Sequence, residues 1–288
     1  MITNTPENWI KKYPLPQEGD HKYKRGHAVI FGAPSLTGAT RLCASSCARF
    51  AGLTSVVAPE ETGGIYRTAF PAHIMVRDSA GKKIESHFID ERVSAVIAGC
   101  GGGFDHDFFR NIAYRAWEQK HLKGLILDAD AFKAWNGDLI EDFSAFEKLP
   151  TIVTPHEGEF NYVFGKSARH KDVLSGSRIE QAQKAAELLS AIVVLKGPET
   201  IIAQKNREPV INKNAPPYLA TAGSGDVLAG MIGGLVAQGM VPFDAACAAV
   251  WIHGEAANIL GVGLVASDLP EIFPKVFQEV LGISDKLG

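Results

Sequence analysis

The chain predicts a three-layer α/β/α sandwich, with helices covering both faces of a mostly parallel central sheet. Three observations carry this expectation. Short runs such as Ala28-Val29-Ile30-Phe31, Ala95-Val96-Ile97-Ala98 and Ile192-Val193-Val194-Leu195 are continuously apolar rather than alternating, as strands buried on both faces are. Segments of helical periodicity separate them, as the crossovers of a parallel sheet require. Glycine-rich or acidic turns follow several of the runs directly, and ligands bind beyond the carboxyl ends of such strands.

Each element has its own signal. Residues 27–31 form the first strand, and a turn leads into an apolar-periodic helix over 38–50. Strands follow at 53–58 and 94–98, the second ending in the glycine cluster 99–103. A helix over 105–121 leads to a strand at 124–128, and a further strand at 151–154 precedes a short helix over 157–164. Ser177 and Glu180 make a capping box that starts a helix running to 190, each side chain satisfying an amide the helix leaves free. That helix feeds the strand 192–195, and 200–204 and 209–211 read as an antiparallel pair. Helices after Gly225 and Phe243 and a last one over 269–281 complete the chain. No linker or repeat interrupts the pattern, so residues 1–288 are expected to form one domain.

Composition narrows the class. Hydrophobic content of 46% and charged content of 21% describe an ordinary globular protein with a sizeable core. A net charge of −3 offers no electrostatic footprint for nucleic acid. The four cysteines, Cys43, Cys47, Cys100 and Cys247, lack metal-ligand or disulfide spacing, which fits a reducing cytosol. Cys43 and Cys47 share a helical face and are read as packing. No signal peptide precedes the first strand and no apolar run could span a membrane, so the expected location is cytoplasmic.

The most informative stretch is Ala222-Gly223-Ser224-Gly225-Asp226-Val227-Leu228-Ala229-Gly230. A Gly-Ser-Gly turn opening a helix gathers backbone N–H groups that lack internal partners, a ready site for phosphate. It is no Rossmann fingerprint, because Leu228 stands where the third glycine is needed and 212–217 is no buried strand. No Gly-x4-Gly-Lys-Ser/Thr loop occurs either. Asp226 would repel the anion that the turn attracts. It is either a helix cap that complements the dipole or a base that strips a proton from a hydroxyl about to attack phosphate.

Other special sequences stand at strand ends: Gly32 to Ala39, Gly99 to Gly103, Asp128-Ala129-Asp130, Thr154 to Glu159, and Lys196-Gly197. Gly38-Ala39 and Gly103 leave room for a ring or ribose to approach backbone, or are simply tight turns. His156 can hydrogen-bond a substrate amide or phosphate, or be an exposed loop histidine. Lys196 can neutralise phosphate charge or snorkel out of the sheet. Asp128 and Asp130 are expected to satisfy turn amides rather than bind metal, and Glu159 is a candidate to hold Mg²⁺ through water. Asp105-His106-Asp107 is read as caps and dipole complements. His253 and Glu255, in a largely apolar helix, are assigned no chemistry.

Together these motifs resemble the NAD(P)H-hydrate dehydratases of the ribokinase-like superfamily, over residues 25–260. The parts run in family order: Gly38-Ala39, the Gly99–Gly103 loop, Leu127-Asp128-Ala129-Asp130-Ala131, Thr154-Pro155-His156-x-Gly158-Glu159, Val194-Leu195-Lys196-Gly197 and Ala222 to Gly230. The resemblance implies dehydration of the S epimer of hydrated NADH and NADPH at the expense of ADP or ATP. The route is phosphorylation of the ring hydroxyl and loss of phosphate. It implies Asp226 as base, with Ala39, Gly103, His156 and Asp226 lining the hydrate pocket. Lys196, Gly197, Pro198, Glu199 and Thr200, together with Gly223, Ser224 and Gly225, would surround the nucleotide, with Mg²⁺ on its phosphates. Two places depart from the pattern: Gly99-Cys100-Gly101-Gly102-Gly103 replaces the common Gly-Pro-Gly-Leu-Gly, and Gly32-Ala33-Pro34-Ser35 replaces Gly-Gly-Ser.

The chief alternative is a vitamin-precursor kinase of the same superfamily, using the same turn and base; another is a nucleotide-binding module without catalysis. The dehydratase fits the Pro155-His156 and Gly38-Ala39 motifs better, and a mere binder would do better without Asp226. The resemblance further implies a stand-alone dehydratase of bacterial type that favours ADP, a homotetramer, and a separate epimerase acting upstream. The apolar stripe Ile272, Phe273, Val276, Phe277 and Val280 must be covered, by a partner subunit or by its own domain.

Overall fold

The structure is a computed structural model and describes residues 1–143 and 148–282. Its strands are β1 (Ile2–Thr3), β2 (His27–Phe31), β3 (Leu53–Ala58), β4 (Ile74–Asp78), β5 (Ala95–Ala98), β6 (Gly124–Leu127), β7 (Thr151–Val153), β8 (Ile192–Leu195), β9 (Thr200–Ala203) and β10 (Val210–Asn212). Its helices are α1 (Thr37–Cys47), α2 (Gly63–Ala69), α3 (His106–Trp117), α4 (Ala129–Lys133), α5 (Ile140–Phe143), α6 (Glu157–Gly165), α7 (Arg178–Leu189), α8 (Ser224–Gln238), α9 (Pro242–Leu260) and α10 (Leu269–Val280). The strands form one ten-stranded sheet in the order β1-β10-β9-β8-β7-β6-β5-β2-β3-β4. Every described pairing is parallel except those of β9, which runs antiparallel to both β8 and β10.

The continuous apolar runs follow from the layering. Ala28, Ile30, Ile97 and Ile126 point into a core shared with α1, α8, α9 and α10. Their strand neighbours Val29, Phe31, Val96, Leu125 and Leu127 point into a second core with α3, α4, α6 and α7. Successive side chains leave opposite faces of a strand, and both faces are covered, so no position in these strands needs to be polar.

From β2 the chain steps outward through β3 to β4, then returns to place β5 on the other side of β2. The order therefore reverses between β2 and β5, and the crevice outside their carboxyl ends is where such sheets bind ligands. The Gly32–Ala39 and Gly99–Gly103 loops meet in that crevice. An ideal Cβ placed on Gly101 would lie 3.3 Å from Ala39 Cβ and 2.5 Å from the Leu36 carbonyl oxygen.

Most elements lie where the sequence places them, including the antiparallel pair β9–β10 and the Ser177–Glu180 capping box. The first helix stops at Cys47, short of 50, and α3 stops at Trp117, short of 121. Strands β1 and β4 and helices α2, α4 and α5 are additions. Asn212 closes β10 and is buried, whereas the 213–216 segment after it carries no regular structure. Helix α10 turns its stripe onto its own core. Phe273 and Val276 are fully buried, and Phe50 meets the rings of Phe273 and Phe277 at 5.8 and 5.3 Å. That stripe therefore gives no support to an oligomer. Among the described residues no helix is long and apolar enough to cross a membrane.

Candidate active site

Helix α8 begins on a left-handed residue: Gly223 has φ 88° and ψ −7°. A side chain there would be strained by its φ and would also meet Leu42 Cδ1 at 2.3 Å. This entry frees the first-turn amides. Ser224 N–H bonds the Thr221 carbonyl at 3.2 Å, and among the described residues the Gly225 and Asp226 amides have no backbone acceptor. Asp226 lies in that first turn, and among the described residues its carboxylate takes a hydrogen bond from the Cys100 thiol and from no turn amide. Its charge still stands in the first turn, where it complements the helix dipole.

Three strand ends meet Asp226. The Cys100 sulfur beyond β5, an Asp128 oxygen beyond β6 and an Asp226 oxygen all lie within 4.8 Å of one another. Burial and the Asp128 carboxylate push the Asp226 pKa up to about 6, opposed by a hydrogen bond from the Cys100 thiol and by the charge of Lys196. A carboxylate that is ionised at neutral pH yet retains proton affinity suits a general base.

Lys196, beyond β8, occupies the centre of this cluster. Its Nζ donates to Asp128 Oδ1 at 3.0 Å and stands 3.9 Å from Glu159 Oε2. The same Asp128 oxygen accepts from the Thr154 hydroxyl at 2.6 Å. Burial works against the ammonium, but Asp128 and Glu159 outweigh it and raise its pKa above the ordinary value. A Cβ on Gly225 would sit 3.2 Å from Nζ, so a fixed positive charge lies against the first turn of α8. Lys196 is thus held inward by carboxylates and does not snorkel.

These partners also correct two expectations. Asp128 accepts from Thr154 and Lys196 and caps no turn. Asp130 pairs with Lys133 instead of satisfying a turn amide. Asp105 does cap α3, accepting from the Phe108 amide at 2.7 Å.

His156 is the N-cap of α6. Its Nδ1 accepts from the Gly158 and Glu159 amides at 3.0 and 3.3 Å, while Glu159 accepts from the His156 amide at 2.9 Å. One ring nitrogen is thereby committed to the fold, and the other, Nε2, lies 3.4 Å from Glu159 Oε1. Ala39 is half-buried against the glycine loop, and Gly103 has φ 86° with Pro34 Cγ and Ser35 Oγ within 3 Å of a Cβ position. Loss of the family's proline thus leaves Gly103 packed on the neighbouring loop. Residues Lys196 to Glu199 form the turn between β8 and β9, with Pro198 and Glu199 exposed, and Thr200 is the buried first residue of β9.

Two further side chains support these turns and escape a sequence reading. Arg178, first in α7, donates to the carbonyls of Glu199 and Lys196 at 2.8 and 3.1 Å and fills the space beside Gly197. His253 lies buried in α9 and hydrogen-bonds the Ser224 backbone from behind; its Nε2 has no partner among the described residues. Burial lowers the His253 pKa to about 4, so the ring is neutral. The arginine could have been suspected from its place after the capping serine; the histidine is hidden in an apolar run.

The trio Cys100, Asp128 and Asp226 does not fit a resident Mg²⁺. A thiol is too soft a donor for that ion, the Cys100 pKa is raised by its hydrogen bond with Cys43 and by burial, and Asp128 Oδ1 already has two donors. Glu159 is engaged as a capping residue and as a neighbour of Lys196.

A doubly covered parallel sheet, a glycine turn opening α8 and a raised-pKa carboxylate near a half-buried lysine make a ribokinase-like arrangement. The family profile of the NAD(P)H-hydrate dehydratases matches residues 27–272. The chain belongs to that family. It is 33% identical over 263 residues to the ADP-dependent (S)-NAD(P)H-hydrate dehydratase of Neisseria meningitidis, covering 88% of this chain and 85% of that one. It is 31% identical over 287 residues to the bifunctional NAD(P)H-hydrate repair enzyme of Dictyoglomus turgidum, covering 93% of this chain but 53% of that protein. The chain thus spans about half the length of the bifunctional relatives. Among solved structures it is similar to the ADP/ATP-dependent NAD(P)H-hydrate dehydratase of Bacillus subtilis co-crystallised with ATP and Mg²⁺, at TM-score 0.79 and 25% identity, covering 97% and 98% of the two chains.

Proposed function

We propose that this chain dehydrates the S epimer of hydrated NADH and NADPH, consuming ADP or ATP and restoring the reduced cofactor. The observation that carries the reading is Asp226, pushed up to about 6, beside the turn amides and the Lys196 ammonium. Hydroxide is a poor leaving group and phosphate a good one. Asp226 takes the proton of the ring hydroxyl, the oxygen bonds to the terminal phosphorus of the nucleotide, and the shortened nucleotide departs. Loss of phosphate and of one ring proton then restores the double bond. The amides of Gly225 and Asp226, with Lys196, stabilise charge on the transferring group.

Ala39, Gly103 and His156 line the hydrate side. The nucleotide lies against Lys196, Gly197, Pro198, Glu199 and Thr200 and the Gly223-Ser224-Gly225 turn. Mg²⁺ belongs to the nucleotide's phosphates and not to a protein-only site. ADP is the favoured co-substrate, as the name of the Neisseria relative suggests. A homotetramer, a cytoplasmic location and a separate epimerase acting on the R hydrate complete the proposal.

The test is turnover of purified S and R hydrates with ADP and with ATP. Nucleotide-dependent recovery of NADH absorbance from the S epimer supports the reading. Nucleotide consumption only with a vitamin-precursor alcohol, whose phosphate ester accumulates, overturns it in favour of a kinase.

A further inference from the structure

A pocket of about 180 Å³ opens at the carboxyl ends of β2, β3 and β4, on the face of the sheet that α3 covers. Phe31 closes β2, Val57 and Pro59 stand at the end of β3, and Ser79 follows β4. Phe104 and Phe108 wall one side, and Lys82 and the 3₁₀ turn Ile84–His87 wall the other. An apolar cavity of about 150 Å³ is large enough to take up benzene, so this one has room for a single ring and a small polar group.

Its walls suit an aromatic ring. Phe31 meets Phe108 at 6.1 Å and 79° and His87 at 6.1 Å and 86°, and Phe104 stacks on Phe108 at 3.9 Å. Ring edges and faces are thus both presented, as edge-to-face packing of a further ring requires.

His87 is the unusual member. It is 4% exposed, yet neither ring nitrogen has a hydrogen-bond partner among the described residues. Buried polar groups are almost always satisfied, and an exception points to a partner that the protein itself does not supply. Burial holds the His87 pKa below its ordinary value, helped by the charges of Lys82 and Arg77. The ring is therefore neutral and offers one N–H donor into the pocket. Lys82 is exposed and has no carboxylate partner among the described residues. The stretch 77–83 carries Arg77, Lys82 and Lys83 against one acid, Asp78, which is paired with Arg67. A donor and an uncompensated ammonium at the rim of an aromatic pocket select an anion.

We propose that this pocket is a second small-molecule site and takes a one-ring aromatic monocarboxylate, its ring among Phe31, Phe104 and Phe108 and its carboxylate between Lys82 and His87. Phe104 follows Gly103 directly, so the occupant packs behind the loop that the proposed function places on the hydrate side and does not enter that side.

The test is calorimetric titration of the purified protein with benzoate, with ADP and Mg²⁺ saturating so that the α8 turn is covered. Saturable binding at about millimolar affinity or tighter is expected, on the scale of so small a ligand. Lys82→Met and His87→Gln should each weaken it about ten-fold, the loss of one charge-assisted hydrogen bond. Ile84→Trp, which fills the pocket, should abolish it, and benzamide, which lacks the charge, should bind at least about ten-fold more weakly. An unchanged melting temperature for Lys82→Met separates lost binding from lost fold. A pocket that holds only water gives no saturable heat up to about 10 mM benzoate, and that result overturns the proposal. Benzoate binding that ADP abolishes, or that Lys82→Met and Ile84→Trp leave unchanged, places the carboxylate elsewhere and also overturns it. Equal affinity for benzamide and benzoate overturns the anionic class. None of these readouts depends on turnover of a hydrate, so failure here leaves the dehydratase reading standing, and the reverse.

Discussion

Replacing Asp226 by Asn keeps the size of the side chain and removes its charge and its basicity. The ionised carboxylate is costly where it stands, because burial and Asp128 raise its pKa from 3.8 to about 6. That gap corresponds to about 3 kcal/mol at most, and screening at a half-buried site leaves roughly 1–2 kcal/mol. The folded state holds the proton more tightly than the unfolded chain does. The penalty is therefore absent below pH 3.8, grows between there and about 6, and is complete above it. Asp226→Asn should gain that stability at pH 7.5, a rise of a few degrees in Tm, and lose the gain near pH 4. It should bind nucleotide at least as tightly, since a negative charge beside the phosphates is gone. Turnover of the S hydrate should nevertheless fall by roughly 10²–10⁴-fold, the worth of a positioned base. Melting curves at the two pH values, nucleotide titration and steady-state rates read all three. A rate within a few-fold of wild type, or a variant less stable at pH 7.5, would refute the reasoning.

The remaining predictions concern the groups around that carboxylate. In wild-type protein kcat/KM should rise with pH to a plateau above about 6, following ionisation of Asp226; Cys100→Ala, which removes the thiol hydrogen bond, should move that limb to higher pH, and an unmoved limb would deny the contact. Lys196→Met leaves Asp128 buried and unpaired and should cost about 3–5 kcal/mol in chemical denaturation, much of it recovered by adding Asp128→Asn. Gly223→Ala combines a left-handed residue with a clash on Leu42, and should cost about 1–3 kcal/mol and weaken nucleotide binding in a titration. Arg178→Ala frees the Lys196–Glu199 turn, and should raise KM for nucleotide several-fold with little change in that for the hydrate.

Local signals account for what the sequence made legible. Strands β2, β5, β6 and β8 declare themselves as apolar runs, and the turn before α8 declares itself by Gly223, Ser224 and Gly225. Strand β4 escaped because it is an edge: Ile74 is buried while Met75, Arg77 and Asp78 are wholly or partly exposed, which blurs the pattern. Strand β1 is two residues long and exists only by pairing with Val210 and Ile211 at the far end of the chain. The same non-locality hid the Asp128–Lys196–Thr154 cluster, whose members lie on three strand ends brought together by sheet order. Asp226 could be singled out from its turn, but not the Cys100 thiol or the Lys196 charge that set its proton affinity. His156 was legible as a helix start, while its commitment of Nδ1 to capping depends on atomic positions.

Oxygen tracing tests the central claim most directly. The S hydrate is labelled with ¹⁸O in its ring hydroxyl and converted with ADP in a single turnover. Transfer of the phosphoryl group to that hydroxyl, with Asp226 as base, predicts the label in the released phosphate. Label in water, with none in phosphate, would mean that hydroxide leaves without being phosphorylated. That result would contradict both Asp226 as the base and the Gly223–Gly225 turn as the cradle of a transferring phosphate.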